Sequence, residues 1–375
     1  MSSKTILIIG TSESSPDLYY RTRLFVPDPC IYVEHRGKRI LVLSDLELDR
    51  GRALAQVDSV LSLSELRARI SPEKQKNATT ADIVDAIFSI LRVKSATVPG
   101  DFSLKHADRL RAMGYDIIPS AREPLFPERM RKTPAEVALI KQVQRQTERA
   151  MRVAIEMISG STVKRRRLYV GGKVLTSEMV KGAINSFLAG LGCTASHTIV
   201  ASGMQGSLPH HVGTGPLIAH TPIVIDIFPR SQTTGYYGDM TRTVVKGEPS
   251  PEAAKMYKAV QKGQKLALRL IKAGVKGGVV HESVMDFFAS KGFDTGVVDG
   301  KHQGFIHSTG HGLGLEIHEP PRITSDDTVL KEGMVLTVEP GLYYESIGGV
   351  RIEDVIVVTE GGCENLNRFS KKFEV

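Results

Sequence analysis

Apolar positions along the chain follow two different periods, and the period changes from segment to segment. Residues 6–9 form a short apolar run that predicts a strand. Ile31-Tyr32-Val33 and the run 39–43 flank Arg36-Gly37-Lys38 and predict a hairpin. Apolar positions at helical spacing recur over 80–92 and 103–113, with strand-like pieces at Ala96-Thr97-Val98 and Asp116-Ile117-Ile118. This alternation predicts a small α/β layer. No glycine-rich phosphate loop follows the first strand, so the sequence gives no support to a nucleotide role there.

A turn-rich stretch over 119–127 and a charged one over 129–132 end this part. Thr133-Pro134-Ala135-Glu136 then reads as a helix start, with threonine as cap, proline at the first position and glutamate at the third. Val137, Ile140, Val143, Thr147, Met151, Ala154 and Ile158 continue one helical face. These signals put a domain boundary near residue 130, dividing the chain into 1–130 and 131–375. The second part repeats a plan. Helices over 133–158 and about 176–190, then strands near 197–201, 222–227 and 237–246, form one half. Helices near 250–273 and 280–290, then strands near 303–308, 334–339 and 350–358, form the other. Two αβ halves around a central sheet are the expected architecture.

Acidic residues interrupt the second part's apolar runs. Asp226 closes Pro222-Ile223-Val224-Ile225, Glu339 closes Met334-Val335-Leu336-Thr337-Val338, and Glu353 lies inside 349–358. Asp239 follows Asp226 by 13 residues, with Gly235 and Gly238 between them to allow a tight return. One aspartate at a strand end is commonly a turn or cap residue. Several buried anions together are costly unless cations neutralise them. His311 and His318 share the segment 308–319, whose alternating glycines Gly310, Gly312 and Gly314 argue for backbone that passes close to something. Four carboxylates and one histidine suit a pair of divalent metals. Arg351 and Glu353 share a strand face, which reads either as a plain ion pair or as an arginine beside a metal ligand.

Composition narrows the field without deciding it. The chain has 375 residues with a net charge of +8, an excess modest for this length. Its one compact basic run, Lys164-Arg165-Arg166-Arg167, reads as a solvated connection between two helices, and no aromatic platform beside it argues for nucleic acid. No apolar run reaches the roughly 20 residues of a membrane span, and the first apolar run is too short for a secretory core. Three scattered cysteines form no CxxC pair, which points to a reducing cytoplasm rather than a disulfide framework.

Residues 130–360 resemble the pita-bread metallopeptidases, the group containing aminopeptidase P, prolidase, methionine aminopeptidase and creatinase. The resemblance rests on Ile225-Asp226, Gly235-Tyr236, Asp239-Met240-Thr241-Arg242-Thr243, Gly310-His311-Gly312, Glu339-Pro340-Gly341 and Arg351-Ile352-Glu353-Asp354. The first 130 residues resemble the family's amino-terminal domain, chiefly at Pro16-Asp17-Leu18-Tyr19-Tyr20-Arg21-Thr22. The resemblance therefore implies an α/β (α+β) chain, with a smaller creatinase-like N-terminal domain before a C-terminal pita-bread catalytic domain. Methionine aminopeptidases lack that first domain, which favours the proline-specific branch.

The implied metal ligands are Asp226 on the first metal, Asp239 and Glu353 bridging, and His311 and Glu339 on the second. His210 and His318 match histidines that bind substrate and stabilise the tetrahedral intermediate, and Arg351 matches an arginine beside the site. The implied reaction is attack by a hydroxide bridging the metals, with Glu339 shuttling the proton to the leaving nitrogen. Oxygen-rich ligation favours Mn2+ over Co2+, Fe2+ or Zn2+. Implied partners are short peptides with proline in second position, as dipeptides or longer, and a second copy in a homodimer. A departure from the family pattern is the longer loop between Asp226 and Asp239, with Phe228 where glycine is common. Two other readings are a creatinase-like hydrolase of non-peptide C–N bonds and a catalytically silent binding protein on the same fold; the intact ligand set counts against both.

Overall fold

The computed structural model describes residues 5–375, apart from the side chains at 73 and 74. The chain divides into two compact units that meet at Arg129 and Met130.

In chain order the first unit contains β1 (Ile6–Gly10), α1 (Pro16–Thr22), β2 (Cys30–His35), β3 (Lys38–Leu43), α2 (Asp45–Leu54) and β4 (Ser59–Ser62). There follow α3 (Leu63–Ala68), α4 (Pro72–Gln75), α5 (Thr80–Leu91), β5 (Ser95–Val98), α6 (Leu104–Ala112) and β6 (Asp116–Pro119). The six strands make one sheet in the order β4-β3-β2-β1-β5-β6. Only β2 runs against its neighbours; β3 and β4, β1 and β5, and β5 and β6 pair in parallel. Strand alternation sends Leu7, Ile31, Val33 and Val42 to one face, under α5 and α6, and Ile8, Tyr32, Leu41 and Leu43 to the other. Arg36 and Gly37, both at positive φ, turn the β2–β3 hairpin.

The second unit opens with α7 (Pro134–Ser159), started by a capping box between Thr133 and Glu136. Then come β7 (Thr162–Lys164), β8 (Arg167–Val170), β9 (Lys173–Val174), α8 (Ser177–Ala189), β10 (Cys193–Thr194), β11 (Ile199–Ser202), β12 (Ile223–Ile227), β13 (Arg230–Ser231) and β14 (Met240–Val244). The later half holds α9 (Pro251–Leu270), α10 (Gly277–Ser290), β15 (Gly296–Val298), β16 (Lys301–Gln303), β17 (Gly310–Gly312) and β18 (Glu319–Ile323). It ends with β19 (Val335–Val338), β20 (Gly341–Tyr344), β21 (Gly348–Arg351), β22 (Asp354–Val358) and β23 (Cys363–Asn365).

Each half packs a helix pair against its own antiparallel sheet. The α7–α8 pair covers β11-β12-β14, and α9–α10 cover β18-β17-β19-β22-β23. The two sheets are stitched together where β14 meets 351–353. Glu353 N–H donates to Thr241 O (3.1 Å), and Arg351 N–H to Thr243 Oγ1 (3.0 Å).

Three local expectations change. The predicted strand over 303–308 is only the end of β16 followed by irregular chain. Gly304 sits at φ +94, where an added Cβ would lie 2.5 Å from Asp294 O, so the backbone turns there. The predicted strand over 350–358 is two strands, because β21 pairs with β20 whereas β22 pairs with β19 and β23. The basic run forms the β7–β8 hairpin, with Arg165 and Arg166 at positive φ in its turn.

Candidate metal centre

The break between β21 and β22 positions the cluster. Glu353 falls between the two strands and is 2% exposed. Its Oε2 accepts from Thr241 Oγ1 at 2.8 Å. Asp239, just before β14, is clamped by the buried Gln144 of α7, which donates to Asp239 O (2.7 Å) and accepts from Asp239 N–H (2.9 Å). That approach needs Gly238, where a Cβ would come within 2.6 Å of Thr147 Oγ1 and 3.1 Å of Val143 C. Asp226 stands on β12 directly across from Thr241.

His311 lies on β17, and its glycine neighbours fit the tight packing expected of them. A Cβ on Gly310 would lie 1.9 Å from Thr337 O, and one on Gly312 would lie 2.4 Å from Glu319 O. His311 Nδ1 is 3.1 Å from Gly312 O. A proton on Nδ1 makes that contact a hydrogen bond and leaves Nε2 as a free lone pair facing the cluster. Nε2 is 3.4 Å from Glu339 Oε1 and 3.8 Å from Asp239 Oδ2. One ligand atom each of Asp239, His311 and Glu353 falls within a 4.8 Å group. Glu339, at the end of β19, is fixed by its N–H to Thr309 O (2.8 Å) and by Thr337 Oγ1 (3.4 Å).

Asp226 is held differently. Arg351 Nη2 donates to its Oδ2 at 2.7 Å, while Oδ1 is buried with no partner. Arg351 therefore pairs with Asp226 rather than with Glu353, and its other donors reach Tyr343 Oη (2.7 Å) and Thr241 Oγ1 (3.1 Å). His318 packs edge-on against His311, ring centroids 4.4 Å apart. His210 is exposed on the loop after β11. Phe228 is half-buried beside β13, which pairs with β10.

Burial dominates the electrostatics. Asp239 and Glu353 rise well above the usual carboxylate range, first by desolvation and then by neighbouring carboxylates. Burial likewise lifts Glu339 to about 7, against the opposing pull of Arg351. His311 falls to about 3, by burial and then by His318. Clustered anions that cannot all ionise, a neutral imidazole and an unpartnered buried Asp226 oxygen fit a site built for divalent cations.

The sequence profile of metallopeptidase family M24 matches residues 138–360, more than half of the chain. The chain belongs to metallopeptidase family M24. This M24 chain is 36% identical over 246 residues to an Xaa-Pro dipeptidase of Pyrococcus furiosus, an alignment covering 65% of each. Among solved structures it superposes on a prolidase from Pyrococcus furiosus with a TM-score of 0.80 at 25% identity, over 98% of this chain and 97% of that one. It also superposes on an X-Pro aminopeptidase from Thermotoga maritima with a TM-score of 0.81 at 26% identity, over 100% and 98%. The α/β architecture of the M24 chain is thus that of the pita-bread fold.

Sequence reasoning missed several side chains that hold the site. Tyr343 Oη receives Arg351 and lies 2.9 Å from His307 Nε2. His307 is itself buried and pushed down to about 3, first by desolvation and then by Arg351. Thr241 and Thr337 stand two residues from Asp239 and Glu339, so strand alternation offered a signal for them. Tyr343 gave none, because an aromatic in an apolar strand reads as core.

Proposed function

We propose that this chain is a metal-dependent peptidase that hydrolyses the bond between an amino-terminal residue and a following proline in short peptides. The observation that carries the reading is the convergence of Asp239, His311, Glu339 and Glu353, with the unpartnered Asp226 oxygen beside them. These five residues would hold two divalent ions: Asp226 one of them, Asp239 and Glu353 both, and His311 and Glu339 the other. An oxygen-rich donor set with one imidazole favours Mn2+, with Co2+, Fe2+ or Zn2+ as other occupants. When bound, the metals supply Lewis-acid polarisation and bring a water toward ionisation near neutral pH.

The chain's own side chains do the rest. Glu339, steadied by Thr337, is the proposed proton carrier to the leaving nitrogen. His318 and His210 are the proposed donors to the peptide's carbonyl oxygen as it gains charge. Arg351, anchored on Tyr343, keeps Asp226 turned into the cluster. Dipeptides are the favoured substrates, since the Pyrococcus relative is named for them. The proposal extends to a homodimer and to a cytoplasmic location, the latter supported by three free cysteines.

The test is hydrolysis of a matched Xaa-Pro dipeptide and Xaa-Pro-Yaa tripeptide, with Mn2+ and with chelator. Metal-dependent cleavage of the dipeptide is expected, and Glu353→Gln should abolish it. Full activity in that variant would sink the proposed ligand set.

A further inference from the structure

The first unit contains a cavity of about 340 Å³ lined by its own residues, none of which belongs to the carboxylate cluster. Its interior wall includes Ile31, Val42 and Ile83, all buried. Three exposed cations also line it: Arg67 from α3, and Lys105 and Arg109 one turn apart on α6. Among the described residues, none of these cations has a carboxylate at ion-pair distance. Three acids on helices of this unit have partners of their own. Asp82 is held by Thr79 in the α5 capping box, Asp45 by Ser62 and Ser64, and Asp108 by Arg111.

The location fits a ligand site by topology. Every strand but β2 runs the same way, and Ile9, Val42, Ser44 and Leu63 lie at or just beyond the carboxyl ends of β1, β3 and β4. Crevices beyond the carboxyl ends of parallel strands are where α/β sheets take ligands. The N-termini of α2 and α5 open onto the same space through Ser44 and Thr79, and helix N-termini favour anions. Ser44 also lines the wall. It occupies the cap position of α2 yet makes no capping bond, and its buried hydroxyl has no partner.

We infer that this cavity binds a small organic phosphate, its phosphate held by Arg67, Lys105 and Arg109 and its carbon skeleton against the apolar wall. Three cations exceed what a monoanionic carboxylate needs and match a phosphate carrying about −1.5 to −2 charges. Guanidinium groups are also the side chains best shaped for phosphate oxygens. The volume lies at the lower end of small-molecule sites, which suits a compact ligand. No phosphate loop is present, so the side chains supply the recognition that such a loop supplies elsewhere. His106, on α6 with Lys105 and Arg109, is lowered by burial first and then by those two cations; a bound dianion should raise it.

The test uses phenyl phosphate as the probe on the intact metal-loaded protein, with binding followed by calorimetry and His106 by NMR. Expected is one-site binding that weakens with salt, an upward shift of the His106 titration, and at least about tenfold weaker binding in Arg67→Gln and in Arg109→Gln. Both variants should melt like the parent and keep peptide hydrolysis unchanged, while Glu353→Gln should bind the probe as the parent does. Loss of binding in Glu353→Gln with retention in the arginine variants would place the probe at the carboxylate cluster and overturn the inference. Equal binding of benzyl alcohol would reduce the cavity to an apolar hole, and equal binding of benzoate would remove the case for phosphate. No binding at roughly 10 mM probe, a level that detects even millimolar affinity, would refute it outright.

Discussion

The stability that divalent metal adds to the protein should grow as pH rises from about 6.5 to 8.5. In the metal-free cluster, burial holds Glu339 up at about 7 and keeps Asp239 and Glu353 well above their ordinary range. A carboxylic acid raised in the folded state keeps its proton while the unfolded chain has lost it. Its contribution is complete below the unfolded pKa and is lost as pH climbs through the folded one. His307 and His311, both down to about 3, have the opposite sign. They cost stability as pH falls, and because the unfolded imidazoles are still half-protonated at about 6.5, that cost fades only by roughly pH 7.5.

The unfolded chain cancels in the difference between metal-loaded and metal-free protein, so above about 6.5 that difference isolates the carboxylates. Each proton held only by the folded chain gives a slope of about 1.36 kcal/mol per pH unit, and Glu339, half-titrated near 7, keeps that slope over only the lower part of the window, so its loss is roughly 1 kcal/mol. For a domain the size of the second unit that is a melting shift of roughly 2–4 °C, and any proton that Asp239 or Glu353 also keeps adds to it. The assay is thermal melting of chelator-treated and Mn2+-loaded protein across this range. Their difference cancels the cysteines and distant histidines, which titrate in both. Calorimetry in two buffers of unlike ionisation heat should also show proton release when metal binds. A metal-dependent increment that stays constant, or shrinks, between pH 6.5 and 8.5 would refute the reasoning.

Other outcomes follow from single contacts. Tyr343→Phe removes the hydroxyl that receives Arg351 and meets His307; hydrolysis should drop by roughly 10-fold, from about 1–2 kcal/mol, with far-UV circular dichroism unchanged. Gly310→Ala drives a Cβ toward Thr337 O, which is strand backbone and cannot yield. It should cost about 1–3 kcal/mol in guanidinium unfolding and weaken metal affinity through displacement of His311. Lys132→Met removes the buried cation that pairs with Glu319. A loss of about 3–5 kcal/mol is expected, and a loss under 1 kcal/mol would show that the pair is not the anchor of β18.

Much of the fold was legible as period and punctuation. The Thr133-Pro134-Ala135-Glu136 signal marked the start of α7, because a capping box and an N-terminal proline act locally. The helix–helix–sheet plan of each half was visible for the same reason: amphipathic period depends on nearby residues. The failures were not local. Residues 350–358 read as one strand because β-branched residues fill most of the run, and only the choice of pairing partner breaks it at Ile352–Glu353.

The site divides along the same line. Sequence alone determined which residues were anomalous, since Asp226, Glu339 and Glu353 in apolar runs and a histidine between glycines violate burial rules whatever the fold. Their order along the chain carried the family resemblance as well. Tertiary structure decided who meets whom. The contact between β14 and 351–353 joins two sheets from different halves and brings Asp239 and Glu353 together across more than a hundred residues. It also gives Arg351 to Asp226 instead of to the glutamate two positions away, and recruits Tyr343 and His307 behind it. The cavity in the first unit is the extreme case. Arg67 and Arg109 are ordinary surface cations in sequence, and only the fold of the first unit places them along one cavity with Ser44, because strand order is a long-range property that no local pattern encodes.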